Sequence, residues 1–423
     1  MTATSIAPLP TTARPTKVVV IGGGVTGTIT AWELARMGHQ VTLLEARQVG
    51  SGSSSRSAAC IRQQFSTPST VRGMRYSVQF YDQWHALMGG AESPIRHNGY
   101  LFLKDYTADP EAVQATVAMQ QEAGLTDVTW LTKEELDEQF PYIESTGLQG
   151  ATWCPTDGFL FPHIVYNDSA EAARRNGVQV VQGAEVVEAN HSNGRVASVI
   201  TRDGNVFDGD IFVNAANAWA PRLSGICGGF ALDIQTRRRY LYFMEGLRDE
   251  SMGLAPDDVR NLPMTITPRG AYCRPESTHQ LMMGWLHFTK PVEADFDDQD
   301  RIEPGFGHNA FSGYGMGLHK ELSAFVPAVA DMGNIHAVTA GYYADTADHN
   351  PLIGFDPIVA NLLHVAGFSG HGLMHAPFSA RIVACLIEAG HNIASINLPD
   401  LGSVDLKPYE VDREPARGEA MVI

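Results

Sequence analysis

The chain has few cysteines: five in 423 residues, at positions 60, 154, 227, 273 and 385, with no C-x-x-C pair and no metal-ligand spacing. A disulfide scaffold is excluded, no structural metal is indicated, and a reduced, cytoplasmic protein is expected. Positive charge is also scarce. Lys and Arg number 30 against 47 Asp and Glu, a formal net charge of −17, which argues against nucleic acid or an anionic membrane as the main partner. No stretch approaches the roughly 18 uninterrupted apolar residues of a membrane-spanning helix. The first sixteen residues, MTATSIAPLPTTARPT, are rich in Thr, Ala and Pro, have no apolar signal core, and read as a disordered leader.

What is present is an ordinary globular composition, 44% hydrophobic with 41 glycines, long enough for a large core in two lobes. The glycines cluster where they carry meaning. In KVVVIGGGVTGTITAWELARMGHQVTLLEA, Lys17 to Ile21 reads as a buried parallel strand, and Gly22, Gly24 and Gly27 complete G-x-G-x-x-G as a helix begins. Gly22 permits the turn, Gly24 lets the backbone approach a pyrophosphate, and Gly27 lets helix and strand pack closely. Glu45 ends the second strand, 18 positions past Gly27, where a carboxylate accepts bonds from ribose hydroxyls. The acid favours FAD or NAD over NADP; this unit does not separate the two. A second cluster, GFSGHGLMHAP at 367 to 377, joins an apolar strand (Leu362 to Ala366) to a helical stripe of Phe378, Ile382 and Leu386. Pro377 is expected in that helix's first turn, where its missing N–H does no harm. Such a joint reads either as a tight turn needing positive φ or as a backbone and helix N-terminus brought close to a flat, electron-rich ligand.

Five landmarks in order, the glycine turn, GSGSSSRSAACIRQQF (50 to 65), DIFVNAANAWAPRL (210 to 223), AGYYADTADHNPLIG (340 to 354) and the 367 to 377 joint, together with DGFLFPHIVYNDSAEAARRNGVQVVQGAEVVE (157 to 188), resemble the amine-oxidising flavoproteins of the D-amino-acid oxidase and sarcosine oxidase superfamily. The resemblance runs from Lys17 to about Leu386 and is strongest to the sarcosine oxidase, dimethylglycine dehydrogenase and mitochondrial FAD-dependent oxidoreductase-domain side. It implies FAD as cofactor. It also implies an α/β fold: a Rossmann-type FAD-binding domain (17–105, 150–230 and 335–405), an inserted α+β substrate domain with a mostly antiparallel sheet (106–149 and 231–334), and a tail (406–423).

The same resemblance assigns parts. Gly22, Gly24, Val25 and Gly27, with Glu45, Ala46 and Arg47, fall on the dinucleotide turn and its carboxylate. Ser53, Ser54 and Ser55 follow the pyrophosphate, Cys60 lies near the flavin ring, Val186 meets the adenine, and Trp219 belongs to the third landmark. Gly370, Gly372, Leu373 and Met374 fall where the family presses amides against the flavin's pyrimidine end, meeting negative charge on the reduced ring. Where some relatives link flavin through a cysteine, this chain has Gly341, two positions before the retained Tyr343, so the FAD is expected to be non-covalent. Arg62 matches the arginine that clamps a substrate carboxylate, and the second cation of that clamp is here Met374. Met282 stands where a lysine promotes reaction with dioxygen; Lys290 or His287 are substitutes the sequence cannot place. Tyr240, Tyr242, Tyr272 and Arg274 lie in the substrate lobe, with sheet packing an equal reading for each; Tyr242 is carried as a catalytic candidate, and His371 reads as structural.

The implied activity is oxidation of a secondary or N-alkylated amine, such as an N-methyl or cyclic imino acid, to an imine that hydrolyses. The partners are a small-molecule amine and dioxygen or another electron acceptor; a homo-oligomer is left open. Rival readings are a D-amino-acid dehydrogenase and a flavin-bearing assembly protein without turnover.

Overall fold

In the computed structural model, all residues are described except 1–5, 7–8, 13, 247–257, 278, 286–288, 308–312, 333–334, 416–418, 420 and 422–423; His287 therefore lies outside the described residues. The sheet that holds the glycine turn has six strands in the order Leu352–Phe355, Leu362–Ala366, Ile211–Asn214, Lys17–Ile21, Gln40–Glu45 and Gln179–Gln182. All neighbours are parallel except the edge strand Leu352–Phe355. Alternation along Lys17–Ile21 sends Val18 and Val20 into one core with the Val25–Arg36 helix, and Val19 and Ile21 into another with Val186 and Val199. Burial on both faces is why this strand reads as a continuous apolar run.

The helix after the second glycine cluster spans Gly372–Ala389, so Pro377 lies beyond its first turn. The sequence expectation fails here for a specific reason. Proline leaves the carbonyl four residues back without its donor, and the buried Tyr81 hydroxyl donates to that carbonyl, Leu373 O, at 2.7 Å. A side chain from a distant helix supplies the bond that the local sequence lacks.

The second sheet has eight strands, ordered Ile335–Asp345, Gln235–Glu245, Gln280–Trp285, Ala271–Pro275, Met264–Ile266, Tyr100–Asp105, Leu148–Cys154 and Thr129–Thr132. Only the Met264–Ile266 pairing with Tyr100–Asp105 is parallel. Tyr100–Asp105, most of Leu148–Cys154 and Ile335–Asp345 thus belong to this sheet, although the sequence places them with the FAD-binding segments. Strand pairing crosses those boundaries, and pairing partners are not written in a strand's own pattern. The leader also differs from expectation where it is described: Ile6 is buried and its amide donates to Gln83 Oε1 at 2.9 Å, while Thr12 N donates to Met37 O at 2.7 Å.

Tyr81→Phe removes the hydroxyl that takes the place of the proline-deleted donor at the buried Leu373 O. Urea denaturation of the variant is expected to show a loss of about 1–3 kcal/mol; unchanged stability would mean the helix tolerates Pro377 unaided.

Candidate functional site

A cavity of about 1270 Å³, counted with the solvent in its mouth, opens beside the glycine turn of the six-stranded sheet. One end is apolar, walled by Leu44, Ala184, Val186, Leu223 and Ile226; the middle passes Gly22, Gly24, Val25, Ser53 and Ser54; the far end meets Tyr343, Phe368, Gly370, Gly372 and Leu373. The Val25–Arg36 and Gly372–Ala389 helices both begin at this cavity, and neither N-cap residue, Gly24 or His371, bonds into its helix through a side chain. Amides and the positive ends of two helix dipoles therefore face one space, an arrangement suited to an anionic ligand. A Cβ on Gly24 would meet only Ser54 Oγ, at 3.0 Å, so its open side belongs to the cavity. Ser54 Oγ in turn accepts from Val25 N at 3.1 Å. Glu45 is buried at the cavity wall, accepting from Gly23 N at 2.6 Å and Arg47 N at 2.8 Å. Burial raises its pKa, and those two amide bonds oppose the rise.

Of the residues expected at a cofactor, Gly22, Gly24, Val25, Glu45, Ala46, Ser53, Ser54, Val186, Trp219, Gly370, Gly372 and Leu373 line this cavity, as does Tyr343. Five others do not. A Cβ on Gly27 would fall 1.9 Å from Gly22 O, so this glycine serves helix–strand packing. Arg47 turns outward to Asp297, and Ser55 Oγ bonds back to Gly52 O. Cys60 packs with the Tyr100–Met264–Tyr272 cluster, its thiol pKa raised by burial. Met374 points into the core shared with the Val25–Arg36 helix, because its place on the Gly372–Ala389 helix faces that neighbour. The sequence missed Arg56, Phe296 and Phe368 on the wall. Arg56 follows the serine run directly; Phe296 comes from another segment altogether and carried no signal.

At the far end, Gly370 has φ +87°, and an added Cβ would lie 2.3 Å from the Tyr343 ring. Both turn and ring demand glycine there. Burial pushes the Tyr343 hydroxyl pKa up to about 12, and the Arg239 guanidinium lies 5.2 Å from its ring centroid. A Cβ on Gly341 would come within 2.8 Å of Arg56 Cβ and 3.0 Å of Arg56 O, which leaves no space for a cysteine.

The register of the eight-stranded sheet decides which side chains face this end. Tyr343 pairs with Arg237, Phe243 with Met282, Met282 with Arg274, Tyr272 with Ile266, and Ile266 with Phe102. Directly paired residues share a face and alternate residues do so too, so Tyr100, Phe102, Met264, Tyr272, Arg274, Met282, Leu241 and Tyr343 lie on one side. Tyr240 and Tyr242 lie on the other, in a core with Leu318 and Leu322, where Tyr242 donates to Phe306 O at 2.9 Å. Tyr242 is thus a core residue and not a catalytic one: its alternation was legible, but the buried face it joins was the wrong one. Met282 is buried among Tyr100, Met264 and Tyr272, and Lys290 is exposed.

Arg62 is fully buried over the Phe65 ring, 3.9 Å from its centroid. Its Nη1 donates to Gln64 O and its Nη2 to Met421 O, while Nε has no partner among the described residues. It forms no ion pair there either; Glu419 and Asp157 only partly offset the burial that lowers its pKa. His371 Nε2 lies 3.4 Å from Nη2, and burial followed by Arg62's charge holds His371 well below its usual pKa, hence neutral. Asp157 fixes the segment beyond Arg62, accepting from Gln63 N at 2.7 Å and Gln64 Nε2 at 3.0 Å.

The sequence profile of the family described as DAO, FAD dependent oxidoreductase, matches residues 17–386. FAD-dependent oxidoreductase domain-containing protein 1 of Bos taurus is 26% identical over 421 residues, covering 90% of this chain and 82% of that protein. Glycine oxidase of Geobacillus kaustophilus (strain HTA426) is 27% identical over 409 residues, covering 94% and 96% respectively. Among solved structures, L-proline dehydrogenase from P. horikoshii superposes with a TM-score of 0.77 at 29% identity, over 92% of this chain and 96% of that one.

Burial pushes the Asp157 pKa from an ordinary 3.8 up to about 6. A carboxyl whose folded pKa is raised adds stability that is complete below pH 3.8 and is lost as pH rises through about 6. The stability of the unaltered chain minus that of Asp157→Asn is therefore expected to fall by roughly 3 kcal/mol between pH 3.5 and pH 7. Urea denaturation across that range checks it; a constant difference would mean that Asp157 does not titrate there.

Proposed function

The chain belongs to the DAO family of FAD-dependent oxidoreductases, and on that footing we propose that it oxidises a carboxylated secondary amine, an N-alkylated or cyclic imino acid, to the imine. The cavity suits FAD. Two helix N-termini and the Ser53–Ser54 turn supply donors for phosphates, Glu45 an acceptor for ribose hydroxyls, and the wall around Val186 an apolar slot for adenine. The absence of space for a cysteine at 341 supports non-covalent attachment. FAD, when bound, supplies the acceptor for the two electrons that leave the carbon next to nitrogen.

The observation that carries the substrate reading is Arg62. Nε and Nη2 form one edge of a guanidinium, one donor unpartnered among the described residues and the other held by a peptide carbonyl. A carboxylate takes both donors of such an edge at once and supplies the missing countercharge. Met421 O is then the group that the substrate carboxylate replaces. The Phe65 and Phe102 rings lie against the guanidinium, and His371 beside it stays neutral. One end of the substrate is thus read by charge and the rest by shape. That L-proline dehydrogenase, 29% identical, is among the structural neighbours supports a cyclic or N-substituted amino acid.

Anaerobic bleaching of the flavin spectrum is expected with N-methyl or cyclic imino acids and not with their amides. Bleaching by D-amino acids alone would move the reading to a D-amino-acid dehydrogenase, and no bleaching by any amine to an assembly protein. Arg62→Ala should raise KM for the reducing substrate about 10- to 100-fold, the worth of a charge-assisted pair of roughly 1.5–3 kcal/mol. An unchanged KM would place the carboxylate elsewhere. With no cation at position 282, reoxidation by dioxygen should be slow. Met282→Lys is expected to speed it in stopped flow without a matching change in anaerobic reduction.

A further inference from the structure

We propose that the acidic run Asp295–Asp300 is a clasp that holds FAD in its cavity by closing over the loop that follows the second strand of the six-stranded sheet. The inference rests on the reading that this cavity binds FAD. Phe296 is the one residue of 231–334 on the cavity wall among the described residues. Its ring stacks on Trp219, centroids 4.1 Å apart and planes at 13°, and Trp219 lines the same cavity. On either side of this stack the run is tied down by charge. Asp297 pairs with Arg47 at 2.5 Å. Asp300 takes Arg56 through both carboxylate oxygens, at 2.5 and 2.8 Å. Gln299, itself buried, donates to Ser51 O at 3.3 Å. On its other flank the run is anchored to the eight-stranded sheet, through Asp298 to Arg238 and through Asp295 to the Tyr342 hydroxyl.

The two anchorages differ in strength. Arg238 is buried and holds both Asp298 and Glu303, so the run stays attached to its own sheet. Asp297 and Asp300 are exposed, at 78% and 68% of their side-chain surface, so their pairs with Arg47 and Arg56 are individually weak and are screened by salt. The run therefore opens on the loop side. Opening unstacks Phe296 from Trp219, uncovers the cavity and removes the carboxylates from Arg47 and from Arg56, which Ser51 O and Gly52 O still hold beside the cavity, a charge arrangement that draws in a pyrophosphate. Closing returns the arginines to the carboxylates. In a chain without room for a covalent flavin link at 341, this is the means of retention.

The test is the rate at which the holoprotein releases FAD, followed by the gain in flavin fluorescence after mixing with an excess of a scavenging apoflavoprotein. At low salt, Asp297→Asn/Asp300→Asn is expected to release FAD about 3- to 10-fold faster than the unaltered chain. Phe296→Ala should do so by a similar factor. In 1 M KCl the unaltered chain should approach the double variant, whose own rate should change little. Equal release rates at both salt concentrations overturn the clasp and leave the cavity reading intact. Stoichiometric flavin retained in Gly24→Val overturns the cavity reading itself. If a variant fails to fold by circular dichroism, the unaltered chain decides alone: release independent of KCl overturns the clasp, and release accelerated by KCl supports it.

Discussion

Backbone amides have to come within hydrogen-bonding distance of a large anionic ligand, and a side chain in the way prevents it. Much of the site follows from that constraint. Two helices start at one cavity and neither N-cap side chain bonds into its helix, so their N-terminal dipoles face whatever enters. The joints that bring them there are built from glycine for different reasons. Gly24 leaves space for the ligand, Gly27 lets the helix lie against its strand, and Gly370 combines a positive φ with the Tyr343 ring packed against it. The constraint has a structural cost elsewhere. A helix that must begin at Gly372 carries Pro377 inside it, and Tyr81 has to cross from another helix to meet the carbonyl that proline abandons.

Burial treats the arginines of this chain in two opposite ways. Arg62 is wholly buried without a paired carboxylate among the described residues, so its desolvation is only partly compensated. Such a cation has high affinity for an anion that fits and low tolerance for one that does not. Over the loop that follows the second strand, Arg47 and Arg56 are paired with aspartates that are themselves largely exposed, where making and breaking a pair costs little. The first arrangement favours selection of a substrate, and the second favours reversible closure over a cofactor. The net charge of −17 does not describe either place, because both are local.

The glycine turn, the acid at the end of the second strand, the serine run and the second glycine cluster were legible because each function is local: a few neighbouring residues with a fixed backbone shape. Arg62 was legible only through resemblance, since nothing in CIRQQF says that the guanidinium is buried or that its Nε lacks a partner among the described residues. What tertiary structure alone decided is wherever separate segments meet. A period of two told that Tyr240 and Tyr242 share a face, but the pairing of Gln235–Glu245 with its two neighbours chose which face, and placed both in the core away from the cavity. Met374 left the cavity for the same kind of reason, because helix packing set its direction. Phe296 on the wall, the Tyr81 bond to Leu373 and the strands shared between the sequence-assigned lobes all depend on residues far apart in the chain. Periodicity specifies that a face is buried; only the assembled neighbours specify what it is buried against.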